Sequence, residues 1–187
     1  MNLWFRLLSL ALHNVARRST NASVLEEVFT PFRCWPTDLD TNLHMNNGRY
    51  LTLMDLGRLD FMGRTGILWP SVRRGMLAVL GASQMIFLKP LLVGQPFRIG
   101  TRLSCWDDRW FVMQQRFLLG EATAAQATVR GMFRRGKQTV PPKVVMELSG
   151  RPLPAAVPPP PAVASWLRSL AEQRELARGA AVSATGG

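Results

Sequence analysis

The stretch from Arg49 to Ile67, RYLTLMDLGRLDFMGRTGI, contains no proline and carries apolar side chains on nearly every side of a 3.6-residue wheel, the pattern of a helix buried all round. Such a helix must be enclosed by other elements, and that requirement constrains the fold more than any other feature of the chain. Its polar exceptions Arg49, Thr52, Asp55 and Arg58 recur every third residue, and Gly63 and Gly66 are expected to stop it. Before it, Val24 to Trp35 reads as a first strand. After a loop at Pro70 and Arg73-Arg74, strand-length apolar segments alternate with turn residues at Pro90, Gly94-Gln95-Pro96, Asp107-Asp108 and Gly120-Glu121. One strand, one buried helix and then a meander of long antiparallel strands predicts an α+β fold in which a sheet wraps a single helix.

At 187 residues and 47% apolar content the chain can bury a substantial core, and its length favours one domain with tails. The expected division is an N-terminal amphipathic helix over 1–22, the folded domain over 23–148, and a proline-rich linker, short helix and tail over 149–187. The apolar opening is interrupted by Arg6 and is too short to span a bilayer. It is expected to pack on the domain or to touch a membrane peripherally through residues 1–18, and His13 within it is read as structural. Cys34 and Cys105 are far apart and have no nearby histidine, which argues against a disulfide framework or a metal centre and points to a reducing compartment such as the cytoplasm. Lys and Arg number 23 against 12 Asp and Glu, so an anionic partner is expected: a nucleic acid, an anionic membrane or a small phosphorylated ligand. Nucleic acid is the weakest of these, because no aromatic-basic platform or helix-turn-helix pattern accompanies the charge.

Residues 38–50 read DLDTNLHMNNGRY, in which Asp38, Asp40, Asn42, His44 and Asn46 alternate with Leu39, Thr41, Leu43 and Met45. Alternation predicts an extended segment with all five polar groups on one side. Asp40 is the candidate base or nucleophile, Asn42 and His44 the groups that orient it, and the first turn of the following helix a source of N–H donors for developing negative charge. The structural alternative is that Asp40 and Asn42 cap and turn the chain into the helix.

This run resembles the signature of the hotdog-fold acyl thioesterases of the 4-hydroxybenzoyl-CoA type, a D-x-D followed by H-x-N-N and an aromatic residue opening the central helix. The order Asp40, Asn42, His44 is similar to the plant acyl-carrier-protein thioesterases, and HMNNGRYL with DLGRLDFMGRTGI is similar to the thioesterase superfamily member 6 group. The resemblance covers residues 24–137. It implies a hotdog fold, hydrolysis of an acyl-CoA or acyl-carrier-protein thioester, and assembly as a homodimer or a dimer of dimers. Asp40 takes the place of the catalytic carboxylate, with Asn42 and His44 as network partners and a backbone N–H near Asn47 polarising the thioester carbonyl.

The resemblance also marks Asp55 as an acidic position on the central helix, for which an ion pair to Arg58 is an equal explanation. Leu43 stands where many members have glycine. Met76 to Leu88 lacks the strand glutamate of the plant type, leaving Ser83 and Gln84 as candidates to orient water. Arg130, Arg134, Arg135 and Lys137 cluster at the end of the last long strand and suit the phosphates of coenzyme A, which is part of the substrate; no separate cofactor and no metal is implied. A basic edge strand that resists sheet-to-sheet pairing accounts for the same cluster. Two further readings stand beside hydrolysis: a hotdog hydratase or dehydratase, disfavoured by Leu43 after Asn42 and by the Asn46-Asn47 pair, and a non-catalytic acyl-binding protein.

Overall fold

The central helix is longer at its start than the wheel suggests. A computed structural model describes residues 5–6, 22–153 and 157–184. In it α1 runs over Asn47–Arg64 with Asn46 as its N-cap. Gly63 lies within the helix, and Gly66, at φ +79°, takes the left-handed conformation that ends the segment. The stretch expected as a loop is instead a short helix, α2, over Leu68–Arg73. Pro70 sits in its first turn, where a missing N–H costs nothing.

The strands are β1 Val28–Arg33, β2 Leu77–Phe87, β3 Pro96–Trp106, β4 Phe111–Leu119, β5 Ala122–Arg135 and β6 Gln138–Val140. They form one antiparallel sheet in the order β1-β3-β4-β5-β2, with β6 also paired to β5. Pro31 lies within β1, which pairs only with β3; an edge strand tolerates the lost donor. Gly94 and Gly120, at φ +78° and +60°, make the tight reversals before β3 and β5. A second short helix that the sequence reading missed, α3, spans Pro142–Glu147.

Period-two alternation gives β5 an inner row of Ala125, Ala127, Val129 and Phe133. This row joins Ile99, Phe117, Leu53 and Met54 in one buried cluster. Tyr50 fixes the start of α1 by edge contacts to Phe117 and Phe87, centroids 4.8 and 5.1 Å away.

The chain divides into two compact units, residues 1–157 and 158–187. In the second, α4 extends over Pro161–Ala184, longer than the Ser165–Arg178 helix expected. The expected N-terminal helix lies outside the described residues, His13 included, except for Phe5 and Arg6, which are helical.

Beneath α1 the apolar seam with the sheet carries a buried polar patch. Gln115 is fully buried and donates to the Met54 carbonyl and to Thr101 Oγ1, each at 3.0 Å. Its own carbonyl oxygen accepts from Arg58 Nη1 at 2.6 Å. Gly57 lets the helix come this close, because a Cβ there would lie 3.1 Å from both Gln115 Nε2 and Thr101 Oγ1. On the neighbouring turn Thr30 Oγ1 donates to the buried Asp60 carboxylate at 2.7 Å, tying α1 to β1. Gly57→Val should therefore lower stability by about 2 kcal/mol or more, read as an earlier urea midpoint with an unchanged slope.

Candidate active site

Asp38 organises the segment that leads into α1. It is fully buried, and its carboxylate accepts from Arg6 Nη2 at 2.5 Å, from Arg49 Nε and Nη2 at 3.0 and 2.9 Å, and from the Trp35 N–H at 2.9 Å. Its carbonyl accepts the Asn46 N–H at 2.8 Å. One side chain thus clamps both ends of the loop between β1 and α1. Burial alone would raise its pKa, but the hydrogen bonds from Trp35, Arg49 and Arg6 outweigh that effect and hold the carboxyl below its ordinary value.

Between the clamped ends the chain is not extended, which corrects the expected row of five polar groups on one side. Asp40 and His44 face each other across a turn: the Asp40 N–H donates to the His44 carbonyl at 2.9 Å and the Leu43 N–H to the Asp40 carbonyl at 3.1 Å. Leu39 and Met45 bridge behind them. The Asp40 side chain closes the turn by accepting the Asn42 N–H at 2.8 Å, the Asx geometry that the alternation pattern concealed. Leu43 adopts φ +60°, so its departure from the family's glycine places a leucine where glycine is unstrained.

The turn brings Asp40 and His44 together, with Oδ2 and Nδ1 separated by 3.5 Å and both side chains partly open to solvent. The Met45 N–H donates to Leu91 at 2.8 Å, and His44 bridges to Leu92, so the turn rests on the segment before β3. The Asn42 side chain is exposed, and the residue meets Asp40 through its backbone N–H.

At the start of α1, Asn46 takes the Gly48 N–H with its side chain at 2.8 Å and the Arg49 N–H with its carbonyl at 2.9 Å. Among the described residues the Asn47 N–H meets no protein acceptor. A free donor at a helix N-terminus is suited to an oxyanion.

The remaining candidates are not brought to this turn. Ser83 pairs with Val129 and Gln84 with Thr128, so consecutive positions put them on opposite faces of β2, both exposed, and they cannot serve one site. Asp55 is exposed and pairs with Arg58. The basic cluster also separates: Arg130 lies over the Trp110 ring at 4.2 Å on the face away from α1, Arg134 donates to the Lys137 carbonyl at 3.0 Å, and Arg135 projects to the opposite face.

Farther along α1 lies a cavity of about 310 Å³ between the helix, β2 and the sheet. Its walls are apolar, with Phe61, Met62, Leu80, Phe111, Met113 and Phe133 among them, and among the described residues its charged lining consists of Asp55 and Arg58. None of Asp40, Asn42, His44 or Asn47 lines it. The sequence reading missed it, as it missed the Asp38 clamp and Gln115, because each depends on residues far apart in the chain.

A family model described as the thioesterase-like superfamily matches residues 34–167, well over half of the chain. The chain belongs to that superfamily. It is 37% identical to protein THEM6 of Xenopus laevis over 83 residues, covering 44% of this chain and 40% of that one. It is 24% identical to a probable thioesterase of Saccharomyces cerevisiae over 130 residues, covering 67% and 54%. The chain thus spans about half or less of the length of the curated relatives it matches. A probable thioesterase of Bartonella henselae superposes with a TM-score of 0.57 at 23% identity over 62% of this chain and 98% of that one. A Staphylococcus aureus protein solved in complex with CoA does so at 0.60 and 12% identity over 73% and 92%. The fold of this thioesterase-like chain is the hotdog fold, a curled antiparallel sheet around one helix.

Asp38→Asn should destabilise the fold by about 3–5 kcal/mol at neutral pH, because two guanidinium groups lose their buried counter-charge. The folded pKa of Asp38 is depressed, so its contribution is full above the unfolded value of about 4 and disappears as pH falls through the folded value. Urea midpoints of wild type and Asp38→Asn are expected to converge on acidification below about pH 4 and to stay separated from pH 5 to 8.

Proposed function

We propose that this chain hydrolyses an acyl thioester of coenzyme A or acyl carrier protein at the turn between Asp40 and Asn47. The observation that carries the reading is the unpaired Asn47 N–H at the start of α1, next to a turn that presents the Asp40 carboxylate and His44 3.5 Å apart.

In this reading the thioester oxygen takes the Asn47 N–H, and the charge that develops on that oxygen strengthens the bond in the transition state. Asp40 then acts in one of two ways. As a base it takes a proton from a water whose oxygen attacks the carbonyl carbon; the C–S bond breaks and the thiolate recovers a proton from Asp40 or His44. As a nucleophile it forms a mixed anhydride with release of the thiolate, and water then hydrolyses the anhydride. Asp40 uses one oxygen to close its own turn, which leaves the oxygen facing His44 for this work. Asn42 contributes its backbone N–H to that arrangement. Ser83, on β2, and Asp55, paired with Arg58, lie away from the turn and take no part in this step.

The phosphates of coenzyme A are assigned to the basic end of β5 of a partner copy, where Arg134 and Lys137 adjoin and Arg130 stands on the same face; within one copy that end lies with the cavity, at the opposite end of β5 from the start of α1. A homodimer suits the exposed edge of β2, where Leu77, Val79, Leu80, Ile86 and Phe87 are all solvent-exposed. Such a row on an unpaired strand favours pairing with another copy.

Thiol release should be measured from short-, medium-, long-chain and aromatic acyl-CoAs. Turnover of the best substrate should fall by about 100-fold or more in Asp40→Asn with an unchanged melting temperature. Release that survives the substitution would remove Asp40 from the reaction; binding without release from any substrate would favour the non-catalytic acyl-binding reading.

A further inference from the structure

The cavity beneath the second half of α1 combines an apolar interior with a desolvated cation. Phe61, Met62, Phe111, Met113 and Phe133 offer apolar and, in the methionines, adaptable contact to a flexible chain. Its volume of about 310 Å³ leaves room for a run of several methylenes.

Arg58 is the exception in this wall. It is 9% exposed, and burial pulls its guanidinium below the ordinary value against the opposing influence of Asp55. Of the five N–H donors of a guanidinium, Nη1 donates to Gln115 and Nη2 to Asp55. Gln115 is itself locked to Met54 and Thr101, so the guanidinium is held from behind, and among the described residues its remaining donors meet no further acceptor. A simple hydrocarbon chain offers none.

We propose that the cavity binds the far part of an acyl chain and that Arg58 selects chains bearing an oxygen there: a hydroxyl, a ketone or a second carboxyl group. This rests on the reading of thioester hydrolysis at the start of α1 and deepens it by naming the acyl class. Arg58 lies about 16 Å along the helix axis from Asn47 at ~1.5 Å per residue. An oxygen that reaches it therefore belongs to the distal portion of a chain whose thioester sits at the helix N-terminus. Asp55 holds the guanidinium in place at the cavity's polar edge, and the adjoining apolar wall receives the methylenes on either side of the oxygen.

The test is direct binding, by calorimetry, of tetradecanoic acid, the same acid hydroxylated at mid-chain or at the far end, and tetradecanedioic acid to the full chain. At least one oxygenated acid is expected to bind about tenfold tighter than tetradecanoic acid, the gain of one charge-assisted hydrogen bond. Arg58→Met should erase that difference, and Arg58→Lys, which retains the charge but not the fork, should reduce it, with melting curves confirming the fold of each. Ala78→Phe, which narrows the cavity from the β2 side and leaves the Arg58 contacts intact, should weaken all four acids. Equal binding of the four acids by wild type, absence of binding, or a preference that persists in Arg58→Met overturns the proposal. Thiol release from tetradecanoyl-CoA and from the CoA ester of the tightest-binding oxygenated acid is measured separately. Preference without release overturns hydrolysis and leaves the acyl class standing, whereas release without preference does the reverse.

Discussion

The candidate site depends on the charge cluster at Asp38. A fully buried carboxylate receives Arg49 from the first turn of α1 and Arg6 from the N-terminal segment, while its backbone carbonyl holds Asn46. Removing Asp38 would leave two guanidinium groups without their counter-charge, so the loop has few alternative conformations of comparable energy. The same clamp fixes where the helix begins and hence which N–H groups Asn46 satisfies and which it leaves open. Asp40 is presented by the turn that this clamp closes. The two aspartates of D-x-D therefore divide the work: Asp38 holds the frame, and Asp40 faces solvent within it.

The second constraint lies along α1. A helix enclosed by a sheet needs close approach, which Gly57 supplies, but the surface it approaches carries Gln115 and Thr101. Once these polar groups are buried they require partners, and Arg58 and the Met54 carbonyl provide them. A wholly apolar seam would be simpler to pack. The polar one fixes the register of the helix on β3 and β4, and it leaves an arginine at the edge of an apolar cavity. Register and ligand chemistry thus come from the same few side chains.

Much of the architecture was legible in the sequence because it is local. An all-round apolar wheel gives a buried helix, and turn residues at regular intervals give a meander. The resemblance in residues 38–50 identified the hotdog fold. The conformation of that run was misread because alternation of polar and apolar residues is also what a tight turn with an Asx cap produces when its two arms pair, as Leu39 and Met45 do. The start of α1 was placed two residues late because Asn46 and Asn47 read as part of the polar run. The pattern alone puts Asp38 in the same row as Asp40, although their surroundings differ completely. Its partner Arg6 is 32 residues away, and Gln115 meets Met54 from 61 residues away. No local pattern encodes such pairs.

The central claim is that a thioester carbonyl binds at the start of α1 beside Asp40. A crystal structure of Asp40→Asn bound to a non-hydrolysable acyl-CoA analogue tests it most directly. The account predicts the carbonyl oxygen, or its isostere, at about 3 Å from the Asn47 nitrogen with the residue-40 side chain against the carbonyl carbon. A carbonyl bound instead at Arg58 or on the outer face of the sheet, with the Asn47 N–H facing solvent, would contradict it.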